Sequence, residues 1–226
     1  MIKAVLFDLD NTLYDQTSYI KQGFKAAAKK VVKDFQIKKI GPQAIYKKLW
    51  ALYINKNRDR IFNQLLNDLL PRHSVRLLNE YVEQELLLYY KLVPRQLKLF
   101  PQAQRILNNL KKRKKKLGLI TQGNPINQVS KLFQLNIIDI FDVIEISGNY
   151  SLQRAKPNVF MFKKAINKLN VAPHETIYVG DNLETDVGAT KAGIQFLYLN
   201  SDCTKEIINS KLTKRIKSLT EIEYYI

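Results

Sequence analysis

Four polar segments lie in a fixed order along this chain, and three of them terminate short apolar runs. DLDNT at residues 8–12 follows the run 4–7, Thr121 ends LGLIT, Lys156 precedes Pro157, and GDNLETD at residues 180–186 closes TIYV. Short contiguous apolar runs are the pattern of parallel strands covered on both faces. Open α/β sheets collect their ligands beyond the C-terminal ends of such strands. Among their side chains are the carboxylates of Asp8, Asp10 and Asp181, the hydroxyl of Thr121 and the ammonium of Lys156. That set suits a phosphate ester held against a magnesium ion.

The periodicity organises the rest of the chain around these segments. Strands are predicted at residues 2–8, 117–121, 142–146, 176–180 and 195–199. Helices are predicted between them at 102–112, 127–133, 158–169 and 184–192, with one or two short helices after Ser201. Strand–helix alternation implies right-handed crossovers, hence an α/β fold with a doubly wound five-stranded parallel sheet of Rossmann-like kind. Residues 16–93 break this pattern. Ile20, Phe24, Ala27, Val31 and Phe35 recur at helical spacing, and Pro42 after Gly41 opens a helix carrying Ile45, Leu49, Leu52 and Tyr53. Two more helices are predicted at 58–70 and 74–92, separated by Pro71, with Ser74 as an N-cap. The expected division is a core of residues 1–15 and 94–226 and an inserted helical unit of residues 16–93.

The formal charge of +17 comes from 28 Lys and 9 Arg spread over 226 residues. Arginine is the residue suited to bidentate reading of phosphates and bases, so a lysine-heavy excess argues against specific nucleic-acid recognition. The densest block, KKRKKK at 111–116, falls at a predicted helix C-terminus, where cations face the negative end of the dipole and stay in solvent. The single cysteine, Cys203, cannot form an internal disulfide. The N-terminus reaches two aspartates within ten residues, unlike a signal peptide, and no stretch has the ~18–20 apolar residues of a membrane span. A cytoplasmic protein without membrane or nucleic-acid partners is expected, its oligomeric state open.

The acids allow a specific chemistry. Asp8 and Asp10 are two apart, so on a strand they share a face. A carboxylate can attack phosphorus, and a second one alongside can protonate the leaving alkoxide and later activate water. Two close carboxylates repel unless a cation lies between them, and Asp181 is a third oxygen donor at a strand end. Thr121 and the Gln122–Gly123 turn offer a hydroxyl and backbone N–H groups to phosphate oxygens, although a turn-capping threonine reads the same way. Lys156, ahead of Pro157 at the start of the next helix, can screen the acids and bind phosphate. Asp186, in the first turn of its predicted helix, can hold Lys156 or a metal-bound water, or simply face the helix dipole.

DLDNT, T-x-G, AKP and GDNLETD resemble the four motifs of the haloacid dehalogenase superfamily of phosphohydrolases, over residues 1–15 and 94–200. The helical insert after the first motif resembles that superfamily's first class of cap. The resemblance implies an aspartyl-phosphate mechanism with Mg²⁺: Asp8 as nucleophile and metal ligand, Asp10 as general acid/base binding the metal through its carbonyl. Thr121 and Lys156 then bind the transferring phosphoryl group, Asp181 completes the metal site and Asp186 supports it. DNTLY and GDNLETD are similar to pyrimidine nucleotidases and N-acylneuraminate-9-phosphatases. The chain departs from those relatives at Gln122, where they carry Asn, and in the absence of a Gly within KKRKKK.

The expected function is a Mg²⁺-dependent phosphatase acting on a small phosphorylated metabolite, a nucleoside monophosphate or sugar phosphate. A phosphomutase of the β-phosphoglucomutase type shares every core residue. A dehalogenase has no use for Asp10 with Asp181, and a basic nucleic-acid-binding scaffold leaves the acid set unexplained. Trp50, Tyr53, Arg58, Arg60 and His73 are candidates for setting specificity within the helical insert.

Overall fold

Ala4, Val5, Leu6 and Phe7 have no exposed surface, so the strand they form must be covered on both faces. In the computed structural model, which describes residues 1–55, 60–93, 96–200 and 211–226, this is β1 (Ala4–Phe7). Arg58, Pro94 and Cys203 lie outside the described residues. Five further strands join it: β2 (Lys116–Thr121), β3 (Val143–Ile146), β4 (Thr176–Gly180), β5 (Gln195–Leu199) and β6 (Thr213–Ile216). All pairings are parallel, in the order β3-β2-β1-β4-β5-β6. The chain therefore winds outward from β1 through β2 and β3, then returns to the other side of β1. Between β1 and β4 the winding reverses, and a crevice for ligands opens at such a point.

The sixth strand corrects the expected five. Its sequence is TKRI, in a tail expected to be helical; Thr213 and Ile216 are buried while Lys214 is exposed. An edge strand of four residues has no apolar run to announce it, and its cations discourage pairing with another chain. The last turns, Leu219–Tyr225, are 3₁₀-helical.

The helices of the Gln16–Gln96 unit are α1 (Gln16–Asp34), α2 (Pro42–Ile54), α3 (Ile61–Leu69), α4 (Val75–Tyr81) and α5 (Leu87–Leu92). Those of the unit made of Met1–Asp15 and Leu97–Ile226 are α6 (Pro101–Lys112), α7 (Pro125–Gln134), α8 (Phe160–Leu169), α9 (Leu183–Asp186) and α10 (Gly188–Lys191). None of the described helices is long and apolar enough to cross a membrane.

In the sheet-containing unit, α6 buries Ala103, Ile106, Leu107 and Leu110, the i, i+3, i+4, i+7 stripe of an amphipathic helix. Against one face of the sheet, Leu6, Ile120, Tyr178 and Phe196 pack with Met161, Phe162, Ala165, Ile166 and Leu169 of α8. Full burial of each Leu, Ile, Phe or Met side chain among them is worth about 1.5–3 kcal/mol. Pro157 does not open α8, which starts three residues later, after Asn158 Oδ1 accepts from the Phe160 N–H at 2.8 Å. The predicted helix at 184–192 is broken at Val187 into α9 and α10. In the basic block, residues 111–114 are exposed, as expected of a solvated helix end. Lys114 adopts φ 55°, so a lysine takes the left-handed conformation that a glycine would adopt more cheaply.

In the Gln16–Gln96 unit the predicted helix at 74–92 is interrupted by a wider π turn at Val82–Leu86. Ser74 occupies the N-cap position but its side chain makes no cap hydrogen bond. The interior is aromatic: Phe24 meets Phe62 edge-on at 6.1 Å and Tyr53 at 5.7 Å. Of the specificity candidates, Trp50 stacks on Tyr53 at 5.4 Å with the Lys21 ammonium over its ring, and His73 lies edge-on to Phe35 at 5.7 Å. Arg60 sits at φ 58° ahead of α3.

Candidate active site

Beyond Phe7 the pairing with β4 continues for one residue, the Asp8 N–H donating to the Val179 carbonyl at 2.8 Å. This register brings Asp8 beside the end of β4, where Asp181 follows Gly180. Lys156 closes the group from the loop before α8. Its Nζ donates to Asp8 Oδ1 at 2.6 Å, Asp186 Oδ1 at 2.7 Å and the Tyr178 hydroxyl at 3.0 Å. An ammonium has three N–H bonds, and all three are used. Tyr178 in turn donates to Asp186 Oδ1 at 2.8 Å, and the Asn182 N–H donates to Asp186 Oδ2 at 3.1 Å. Asp8, Asp181 and Asp186 each place a carboxylate oxygen within 4.8 Å of the others.

The remaining expected residues are placed differently. Thr121 ends β2, fully buried, and its Oγ1 accepts from Gln128 Nε2 at 2.6 Å. Gln122 turns its amide to the Lys156 carbonyl at 3.0 Å, tying the β2 turn to the lysine loop. Asp10 does not share a strand face with Asp8, because β1 ends at Phe7 and the chain turns through Asn11 at φ 57°. Its carboxylate faces α7: it accepts from Lys131 Nζ at 2.7 Å, Gln128 Nε2 at 3.1 Å and the Tyr14 hydroxyl.

Three carboxylates thus face one ammonium. Burial pushes the Asp8 carboxyl up to about 8, with Asp186 and Asp10 adding to the rise against the pull of Lys156. Burial also pushes Asp181 up to about 6, with Asp186 adding to it. Burial disfavours the Lys156 ammonium, but Asp8 and Asp186 outweigh it and hold the lysine charged. Tyr178 is held neutral, far above its ordinary value, by burial and by Asp186. Asp186 is committed to Lys156, Tyr178 and the Asn182 N–H. Asp8 and Asp181 add hard carboxylate oxygens beside it, a donor set that fits a small divalent cation.

Residues 5–199 match the family of haloacid dehalogenase-like hydrolases. The chain belongs to that family. It is similar to the glyceraldehyde 3-phosphate phosphatase of Methanothermobacter thermautotrophicus, 31% identical over 91% of this chain and 88% of that one. It is also similar to the human N-acylneuraminate-9-phosphatase, 26% identical over 86% of this chain and 80% of that one. Among solved structures, the putative beta-phosphoglucomutase of Thermotoga maritima superposes with a TM-score of 0.71 over 99% of this chain and 98% of that one, at 18% identity; this likeness speaks for the fold.

The glycine of GDNLETD has a steric role in this haloacid dehalogenase-like hydrolase. A Cβ on Gly180 would lie 2.1 Å from Asp186 Oδ2. Gly180→Ala is therefore expected to push Asp186 off Lys156 and to destabilise the fold by about 1–3 kcal/mol, as overpacking does. A thermal melt reads this as a drop of roughly 2–4 °C per kcal/mol. An unchanged melting temperature would mean that Asp186 does not need that space.

Sequence reasoning missed Tyr178, Gln128, Lys131 and Tyr14. Tyr178 was hidden inside the apolar run TIYVG. A signal for Gln128 and Lys131 did exist: on α7 they fall with Leu132 and Leu135 at i, i+3, i+4 and i+7, polar residues on a stripe that should be apolar.

Proposed function

We propose that this hydrolase is a Mg²⁺-dependent phosphatase that acts on a small phosphorylated metabolite through an aspartyl-phosphate on Asp8. The observation that carries the reading is the buried array of Asp8, Lys156 and Asp186 beside Asp181, at the carboxyl ends of β1 and β4. An Asp8 carboxylate oxygen attacks phosphorus, the bond from phosphorus to the ester oxygen breaks, and Asp10 delivers a proton to the departing alkoxide. Water then attacks the phosphoryl group with Asp10 accepting its proton, the Asp8–phosphorus bond breaks, and inorganic phosphate leaves. Lys156, charged and anchored by Asp186, offsets the negative charge on the transferring oxygens, and the Thr121 hydroxyl donates to one of them. Asp8, Asp181 and the Asp10 carbonyl would hold Mg²⁺, which would supply the charge neutralisation that lets two anions meet.

Residues 1–15 and 94–226 are proposed as the catalytic core and residues 16–93 as the cap that selects the substrate. The archaeal and human relatives are both named for phosphorylated sugars, which supports a sugar phosphate over a nucleoside monophosphate. A screen of phosphorylated metabolites with Mg²⁺, including glyceraldehyde 3-phosphate, hexose phosphates and nucleoside monophosphates, tests this by phosphate release. A sugar phosphate is expected to be hydrolysed fastest. Isomerised sugar phosphate without free phosphate would replace the phosphatase by a mutase.

A further inference from the structure

Helix α7 carries two buried polar side chains that the reaction scheme above does not use. Gln128 and Lys131 are one turn apart, so they share a face, and they are only 1% and 8% exposed. An ammonium is buried only where it is paired, and Lys131 is paired with Asp10 Oδ1 at 2.7 Å, the oxygen to which Tyr14 also donates. Gln128 Nε2 lies 3.1 Å from Asp10 Oδ2, 2.6 Å from Thr121 Oγ1 and 2.7 Å from the Gln122 carbonyl. A carboxylate and a carbonyl can only accept, so the NH₂ end of the amide must face this group. The NH₂ has two hydrogens for three acceptors, so one hydrogen is shared, and an N–H directed at Thr121 Oγ1 uses that oxygen as an acceptor and leaves its own hydrogen to donate elsewhere. The turn is shaped for the amide: Gly123 adopts φ 139°, and a Cβ there would lie 3.3 Å from Gln128 Cδ.

We infer that Gln128 and Lys131 are positioning residues of the active site. Lys131 aims the Asp10 carboxylate, and Gln128 fixes that carboxylate relative to the Thr121 hydroxyl, so the proton-transfer group and the phosphoryl-binding group are held as one unit. The inference rests on the roles of Asp10 and Thr121 proposed above.

The test uses the full-length protein with Mg²⁺, an aryl phosphate with a good leaving group and an alkyl phosphate with a poor one. Lys131→Met should lower kcat on the alkyl phosphate by roughly 30–100-fold, the scale of a small misplacement of a reacting group. The aryl phosphate should suffer less, and the inhibition constant of inorganic phosphate should stay within about twofold, because phosphate binding does not pass through Asp10. Lys131→Arg should recover much of the loss. Gln128→Leu should also weaken inhibition by inorganic phosphate, by about tenfold, through Thr121. In an Asp10→Asn background, Lys131→Met should add less than about twofold on the aryl phosphate, since the group it positions is gone. A lysine that serves folding alone would cost the same factor in both backgrounds and on both substrates, and that result overturns the inference. Should Lys131→Met not fold, Lys131→Gln and Gln128→Leu carry the same comparisons. If Asp10→Asn itself kept wild-type turnover, the proposed catalytic roles would fall. If Asp10→Asn is crippled but Lys131→Met is wild-type-like, only the positioning role falls.

Discussion

Asp8→Asn is expected to lower kcat by roughly 10⁴-fold or more, about 5.5 kcal/mol of transition-state stabilisation, because an amide cannot attack phosphorus. The fold should survive the change, since the amide fills nearly the same volume and Lys156 keeps Asp186 and Tyr178 as acceptors. The folded Asp8 carboxyl is raised to about 8 from an ordinary 3.8. A raised acid contributes stability that is present below its unfolded pKa and lost as pH climbs through the folded one. In metal-free protein the variant, free of that loss, should therefore gain melting temperature relative to wild type between pH 4 and pH 8. Phosphate release and thermal melts of both proteins check the two halves. A variant that folds and still turns over at a substantial fraction of the wild-type rate would remove the covalent mechanism.

Removing the metal should have an effect of the same order. EDTA should stop phosphate release, excess Mg²⁺ should restore it, and Ca²⁺ should support it poorly because its looser coordination misplaces the attacking carboxylate. Asp181→Ala should raise the Mg²⁺ requirement by roughly 10²-fold or more, given that even supporting groups around a metal are worth 10–100-fold. Saturating Mg²⁺ should stabilise the wild type by about 2.7 kcal/mol at a hundred times its dissociation constant, and the variant far less at the same concentration. Ligands must be deprotonated to bind. With Asp181 raised to about 6 and Asp8 to about 8, Mg²⁺ affinity should rise from pH 6 to pH 8, with proton release on binding. Calorimetric titrations in two buffers of different ionisation enthalpy measure this directly. Full activity in metal-free protein would falsify the reading of the acid cluster.

The site was legible in outline because its chemistry demands polar groups where the sheet demands apolar ones. Asp8, Thr121 and Asp181 stand out as the places where buried runs stop. What sequence spacing did not convey was direction. Asp8 and Asp10 are two apart, yet a strand that ends at Phe7 and a left-handed Asn11 send their carboxylates to different partners. Gln122 carries an amide in the turn expected to bind phosphate, but the amide is turned to the Lys156 carbonyl. The fold behaved similarly. The five buried strands announced themselves, while β6, a charged edge of four residues, could be located only by its partner β5. Lys131 was obscured by its company, since a lysine on a lysine-rich chain looks like solvated surface until its helix face is counted.

The central position of β1 has a consequence for how the protein is made. Synthesis delivers its residues well before those of its hydrogen-bonding partners, Lys116–Leu119 on one side and Thr176–Val179 on the other. The nascent strand must wait through the whole of residues 16–96 before its first neighbour exists. That delay has little thermodynamic weight, because loop-closure entropy grows only logarithmically with the length spanned. It matters in time. The Asp8 end of β1 is set against β4 only after Thr176–Val179 have been translated. Until then the emerging polypeptide carries the chemical groups of a hydrolase without the sheet that aligns them.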